Sequence, residues 1–474
     1  MALVLALGAA RSRLLASWRA SKLLGSVLRL TDANTERCVA AAASSLRPSL
    51  GYQSRSLVVG MSRVLQIAPK GARSMSQDQH QASPGKGMER ATLVGSEEVV
   101  EVEWSVGGVS KYPYVWLRDN CQCSKCFAKE HNNRLIMTSD IELDAAPVTA
   151  EMSDRGSTLL VTWPDGHQSQ YDWQWLRDRC FSPQARADRE TRGRNKKQLW
   201  GADISADLTV HDFPALLSDD RALYNFLYGL DKVGLVLVQN VPRQVGQVEK
   251  LANRVSFLKQ NVYGTEIIVK SKPDDVRTSE ADSTRHLEIH NDEPYYSYAP
   301  GVQILHYIEQ TEGEGGTSLL VDSFNAAYQL KEEDPEAFWL LTTFKVHFIQ
   351  KKAKHKSHIR NVCHVISLDD QGEVQRVNYM MIARDSVMDV PLEQVKPFHR
   401  ALKAFNALLY HPNNCLHLKM KAGEMYAVDN GRTLHGRTAF NAADGVRHLR
   451  GGYLDWDGVY SRMRVLREDL GIME

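Results

Sequence analysis

A His-Asn-Asp triplet at residues 290–292 and a second histidine 145 positions later, His435 in Asp429-Asn-Gly-Arg-Thr-Leu-His-Gly-Arg437, constrain this chain most. Alternation along a strand turns His290 and Asp292 to the same side, with Asn291 between them. Two imidazoles and one carboxylate can occupy one face of an iron(II) ion and leave the other face open. Such a set needs a fold that returns a late strand opposite an early one. Between residues 207 and 474 the pattern suits that demand. Short apolar runs at Gly234–Gln239, Val302–Ile308, Ser318–Val321, Phe344–Phe348, His364–Leu368, His417–Met420, Glu424–Val428 and Leu449–Leu454 read as strands. Helical spacing marks Ala215–Leu230, Val245–Leu258, Phe324–Leu330 and Pro397–Leu409. Mostly strands with a few flanking helices predicts a mainly β fold, a double-stranded β-helix or jelly roll, over residues 204–474.

A metal site with open positions needs a co-substrate. Arg447, twelve residues past His435, supplies a forked cation for the far carboxylate of 2-oxoglutarate, with Ser318 or Thr317 as the accompanying hydroxyl. His286 and His306 lie near the triplet and read as structural.

A second cluster, Cys121-x-Cys123-x-x-Cys126 followed by His167 in Trp163-Pro-Asp-Gly-His, has the composition of a closed tetrahedral zinc site. It falls in a β-rich stretch, residues 94–183, small enough for a metal to matter to its folding. The charged residues 184–198 lack an apolar face and read as part of a linker spanning 184–203. No internal repeat is evident.

Fifty-eight Lys and Arg against 57 Asp and Glu leave a net charge of +1, which gives no reason to expect nucleic acid. No apolar run reaches membrane-spanning length. Residues 1–80 differ from the rest. The first 75 residues carry eleven basic side chains and only Asp32 and Glu36 as acids, in a background of Ala, Ser and Leu. This reads as a transit segment for the mitochondrial matrix, with a cytoplasmic chain as the alternative.

Tyr114-Val-Trp-Leu-Arg-Asp-Asn-Cys-Gln-Cys-Ser-Lys-Cys126, Thr162–His167, Pro300-Gly-Val-Gln-Ile-Leu-His306, His435-Gly-Arg437 and Arg447–Asp457 together resemble the γ-butyrobetaine and trimethyllysine dioxygenase family. The middle cysteine leans toward the butyrobetaine branch. The resemblance implies hydroxylation of an unactivated C–H in carnitine biosynthesis. It also implies a homodimer and ascorbate as reductant. By position it makes His290, Asp292 and His435 iron ligands, the Cys3His set zinc ligands, and Arg447 the 2-oxoglutarate arginine. The family holds a trimethylammonium group among aromatic rings. Tyr263 and Tyr453 match two of these, but Ile267, Thr278 and Glu293 stand at three others, and Gly431 replaces a Trp. Glu293 and Tyr295 are therefore expected as substituted substrate contacts. Four readings stay open: γ-butyrobetaine hydroxylation, trimethyllysine hydroxylation, the same chemistry on another amine, and a non-catalytic metal-stabilised scaffold.

Overall fold

The computed structural model describes residues 87–191, 196–271, 280–352 and 356–472. The basic leader, residues 192–195 and Thr278 lie outside them. Apolar alternation builds two three-stranded antiparallel sheets at the start. One is β1 (Met88–Val94), β2 (Val99–Trp104) and β3 (Val109–Pro113). A short hairpin of β4 (Phe127–Ala128) and β5 (Asn133–Arg134) follows the cysteines. The other sheet is β6 (Thr149–Ser153), β7 (Thr158–Thr162) and β8 (Gln168–Asp172). Val100, Val102 and Tyr112 of the first sheet share a core with Leu159, Val161 and Tyr171 of the second.

These sheets are two copies of one unit, which corrects the expectation of no repeat. Trp163 follows Trp104 by 59 residues, and the same offset relates Ser169 to Ser110, Tyr171 to Tyr112 and Trp175-Leu-Arg-Asp178 to Trp116-Leu-Arg-Asp119. The contacts repeat as well. Trp104 Nε1 donates to Ser110 Oγ at 2.9 Å, and Trp163 Nε1 to Ser169 Oγ at 2.9 Å. Tyr112 donates to the Leu176 carbonyl of the other copy, and Tyr171 to that of Leu117. Most of the identity lies in side chains that pack or bond across the pair, with the turn glycines Gly107 and Gly166 besides, so the differing loops between them hid it.

The remainder forms two facing sheets. The larger runs β11 (Ile267–Lys270), β23 (His448–Leu454), β13 (Val302–Glu309), β21 (Glu424–Asp429), β10 (Leu235–Gln239) and β9 (Val210–Asp212). The smaller runs β12 (Leu287–His290), β22 (Thr433–Arg437), β14 (Ser318–Asp322) and β20 (Cys415–Leu418). Leu305, Tyr307, Tyr426 and Leu449 of one sheet meet Leu320 and Leu416 of the other in one buried cluster, as a jelly roll requires. Val302, Ile304, Val236, Met425 and Ala427 face outward, under helices Phe213–Ser218, Asp220–Val233, Gln247–Val255 and Trp456–Asp469. Helices Ser323–Glu333, Pro335–Thr343 and Val395–Leu409 cover the smaller sheet, together with strands β15 (Lys345–Lys352), β16 (Ser357–His364), β17 (Ile366–Leu368), β18 (Val374–Val377) and β19 (Arg384–Met388).

Two local readings change. The single helix expected over 215–230 breaks at Asp219, whose extended backbone and side chain, bonded to Arg221 N, cap the second helix. The charged stretch read as linker contains helix Pro183–Thr191. Its far end is packed: Lys197 pairs with Asp231 at 2.6 Å, and Trp200 is buried with Nε1 on the Val233 carbonyl.

Candidate metal centre and active site

Strand pairing brings the predicted triad together. His290, the last residue of β12, lies directly opposite His435 of β22, and the two rings are 4.4 Å apart. Asp292 follows two residues on. Its Oδ1 is 3.4 Å from His290 Nε2 and 3.8 Å from His435 Nε2. The ligand atoms of all three lie within 4.8 Å of one another.

The surrounding groups divide the aspartate's two oxygens. Oδ2 accepts from Tyr453 Oη at 2.7 Å and from Gln303 Nε2. Oδ1 is left facing both imidazoles, the disposition of a one-oxygen metal ligand. His290 Nδ1 donates to the Glu288 carbonyl at 2.7 Å, so the lone pair of Nε2 points to the centre. Asn430 clamps the backbone of Asp292 on both sides, donating to its carbonyl and accepting from its N–H at 2.8 Å. Burial opposes ionisation of Asp292, but the His435 and His290 imidazoles and the Tyr453 hydroxyl outweigh it and hold the carboxyl below its usual range. Burial lowers His435 to about 4, keeping that ring neutral. Burial lowers His290, but the hydrogen bond and charge of Asp292 outweigh it and hold that ring toward its protonated form, so a divalent iron would displace one proton on binding; with His435 neutral and Asp292 ionised, the residues fit the ion.

Farther along the same interior face, Ser318 pairs with Arg437 and Leu320 with His435. Ser318 thus sits two residues, roughly 7 Å, from the level of the metal ligands, a span suited to a five-carbon dicarboxylate. Ser318 Oγ and Tyr307 Oη are 2.7 Å apart, and the Arg447 guanidinium lies 5.6 Å over the Tyr307 ring. Two buried arginines compete for notice here. Arg437 spends both terminal nitrogens on the carbonyls of Ala281, Ser283 and Arg285, leaving only its Nε without a partner among the described residues. Arg447 is 5% exposed, its Nε is likewise unpartnered, and no hydrogen bond joins its terminal nitrogens to a described residue. Arg447 is therefore the cation still in need of an anion. Thr317 instead exchanges backbone contacts with Thr438, one position off the face that Ser318 presents.

The expected substrate side chains are only partly convergent. Tyr453 spends its hydroxyl on Asp292. Glu293 is buried, with Oε1 on Asn261 Nδ2 at 2.8 Å, and burial and the neighbouring Asp292 charge push it up to about 8. Tyr295 Oη accepts from Gln350 Nε2 at 2.8 Å, as does Tyr263 Oη at 2.7 Å. Tyr263 is 38% exposed. His306 is buried on the outward face of β13, and His286 is exposed near Tyr410. Neither joins a metal-ligand group among the described residues. Sequence reasoning missed Gln303, Asn430, Tyr307 and Gln350; only Gln303 carried a signal, through its alternation with Leu305 and Tyr307.

The second cluster also converges. His167 Nε2 lies 3.2, 3.7 and 3.6 Å from the sulfurs of Cys121, Cys123 and Cys126. A tetrahedral zinc with ordinary bond lengths separates sulfur and nitrogen by about 3.5 Å. Burial and the neighbouring thiols push Cys126 up to about 12; a bound cation reverses that balance.

A barrel interior with two histidines and one carboxylate at one end and a free arginine at the other defines an iron- and 2-oxoglutarate-dependent oxygenase. Residues 193–453 match the taurine catabolism dioxygenase TauD, TfdA family. Residues 92–177 and 150–214 match the γ-butyrobetaine hydroxylase-like N-terminal family. The chain is 36% identical to γ-butyrobetaine dioxygenase of Homo sapiens, covering 80% of this chain and 97% of that protein. It is 34% identical to γ-butyrobetaine dioxygenase of Pseudomonas sp. (strain AK-1), over 78% and 94% of the two chains. It is 32% identical to mitochondrial trimethyllysine dioxygenase of Bos taurus, over 78% and 86%. The chain belongs to the γ-butyrobetaine and trimethyllysine dioxygenase family, and it is a dioxygenase.

Proposed function

We propose that this dioxygenase hydroxylates an unactivated C–H of a small ammonium carboxylate, with γ-butyrobetaine, giving carnitine, as the first candidate and trimethyllysine as the second. The observation that carries the reading is the divided aspartate, with Oδ2 anchored by Tyr453 and Gln303 and Oδ1 turned to His290 and His435. Iron(II) held by these three groups, with 2-oxoglutarate, supplies the oxidising power to place one oxygen atom of O₂ on carbon, with succinate and CO₂ as co-products. The chain itself binds and orients. Arg447, with Ser318 beside it, grips the far carboxylate of the co-substrate. Asn430 and the Glu288 carbonyl keep two ligands in register. Cys121, Cys123, Cys126 and His167 hold a structural zinc. A homodimer and ascorbate as reductant follow from the resemblance, and the basic leader supports a mitochondrial matrix location, with the cytoplasm as the alternative.

Another amine as substrate is the second reading, favoured by Glu293 standing where the family places a ring. The test is succinate formation with iron, 2-oxoglutarate and O₂, stimulated by each candidate. A His290→Ala variant that keeps full turnover refutes the metal assignment, and an inert wild type with iron bound refutes the enzyme reading in favour of a scaffold.

A further inference from the structure

We propose that the cation of the substrate carries N–H groups, as a primary or secondary ammonium does and a quaternary one does not, and that Glu293 receives them, with the Gln350 amide beside Tyr295 as a second acceptor. This rests on the reading of the site as a dioxygenase centre for a small ammonium carboxylate and, within it, favours the other amine over the two trimethylated candidates.

Glu293 follows the ligand Asp292 with φ of 62°, a left-handed conformation that non-glycine residues seldom adopt. Asn361 Nδ2 donates to the carbonyls of Pro294 at 2.9 Å and Tyr296 at 3.1 Å and pins the turn that follows. The glutamate is 4% exposed. Its Oε1 is satisfied by Asn261, while Oε2 is buried without a well-formed hydrogen bond to the described residues, with the Tyr295 hydroxyl as its neighbour. On β15, Gln350 uses its amide nitrogen on Tyr263 and Tyr295, and its Oε1 is likewise buried without a partner among the described residues. Buried acceptors are almost always paired in native proteins. Two orphans tied together through Tyr295, next to a metal ligand, call for donors from outside the chain.

A trimethylated nitrogen offers no N–H to either oxygen and depends on open ring faces. Here several ring faces already have neighbours. Lys352 Nζ sits 4.8 Å over the Tyr263 ring, and Lys259 Nζ 4.8 Å over Tyr298. Tyr295 and Tyr296 pack on each other at 5.4 Å. Ile267 has no ring, and at Gly431 the Arg376 side chain fills the space, 3.3 Å from where a Cβ would stand. The arrangement has exchanged ring faces for hydrogen-bond acceptors.

The test uses the full chain with iron and 2-oxoglutarate, and four ligands that differ only at nitrogen: 4-aminobutyrate and its N-methyl, N,N-dimethyl and N,N,N-trimethyl derivatives. Calorimetry without O₂ reads binding, and succinate release with O₂ reads turnover. The N–H-bearing ligands are expected to bind and turn over at least about tenfold better than the trimethyl one. Glu293→Gln is expected to weaken the N–H-bearing ligands by about tenfold or more while leaving trimethyl binding within about twofold. Glu293→Trp is expected to reverse the order. A wild type that prefers the trimethyl ligand overturns the proposal and leaves the dioxygenase reading standing. So does a Glu293→Gln variant, folded by its melting curve, that weakens all four equally. No consumption of 2-oxoglutarate with any ligand overturns both.

Discussion

Replacing Tyr453 by Phe removes one oxygen atom and tests how the metal site is built. The hydroxyl donates to Asp292 Oδ2 at 2.7 Å from a ring only 4% exposed. A hydrogen bond to a charged partner contributes about 1.5–3 kcal/mol. Gln303 Nε2 remains on the same oxygen, which puts the loss at the lower end, about 1.5 kcal/mol, or about tenfold in metal affinity. The direction with pH follows as well. Burial alone would raise the Asp292 carboxyl; the imidazoles and Tyr453 hold it down. Without Tyr453 the carboxyl takes up a proton at higher pH, so metal is released at higher pH than in the wild type. The assay is an anaerobic Mn(II) titration, with free ion followed by electron paramagnetic resonance, on proteins of matched melting temperature. An unchanged affinity in a folded variant refutes the claim that Tyr453 orients the ligand. A change confined to substrate KM would return Tyr453 to the role of substrate contact alone.

Other outcomes follow from groups around the barrel. His306 is buried, neither ring nitrogen has a partner among the described residues, and burial lowers it from 6.5 to about 4. The unfolded chain therefore binds this proton first, and stability falls as pH drops from about 6.5 to about 4, by about 3 kcal/mol; His306→Leu should flatten that limb in urea unfolding. Arg432→Leu strands Asp322, which it meets at 2.7 Å with both side chains fully buried, and should cost about 3–5 kcal/mol. A loss below about 1 kcal/mol in denaturant unfolding would contradict the burial argument. Cys123→Ser should lower zinc content and the first melting transition while leaving iron content unchanged; equal zinc in the variant counts against the Cys3His site.

What was legible in the sequence was what one strand or one loop could state alone. Alternation across His290-Asn-Asp292 put two ligands on one face, and the spacing Cys-x-Cys-x-x-Cys grouped three sulfurs. Apolar runs marked β13, β14, β21 and β23. Pairing between distant strands carried the rest. That Tyr453 would reach Asp292 rather than wait for substrate depends on β23 lying beside β13 at the register Gln303 opposite Tyr453. That Arg437 would be consumed by three carbonyls, leaving Arg447 free, depends on the 281–285 segment, where nothing local signals a loop of acceptors. The linker reading failed in its second half because Lys197 and Trp200 answer to Asp231 and Val233, partners more than thirty residues away.

The 59-residue repeat bears on what a metal at the Cys3His cluster would do. Each copy places a cysteine after Trp-Leu-Arg-Asp, Cys121 in the first and Cys180 in the second. The other ligands are not copied: Ser182, Ala185 and Gly108 occupy the positions related to Cys123, Cys126 and His167. In the second copy Cys180 Sγ contacts Ser110 Oγ at 3.2 Å and accepts from Ser182 N at 3.4 Å. A thiol closed by hydrogen bonds needs no ion. The first copy opens instead into residues 121–148, a stretch with only a two-residue hairpin and 3-10 turns of its own. Its cysteines lie within 3.7 Å of a histidine supplied by the second copy. A zinc held there would join the two halves as well as close the loop. Its removal should therefore loosen both sheets together, with Trp104 and Trp163 fluorescence changing in one step.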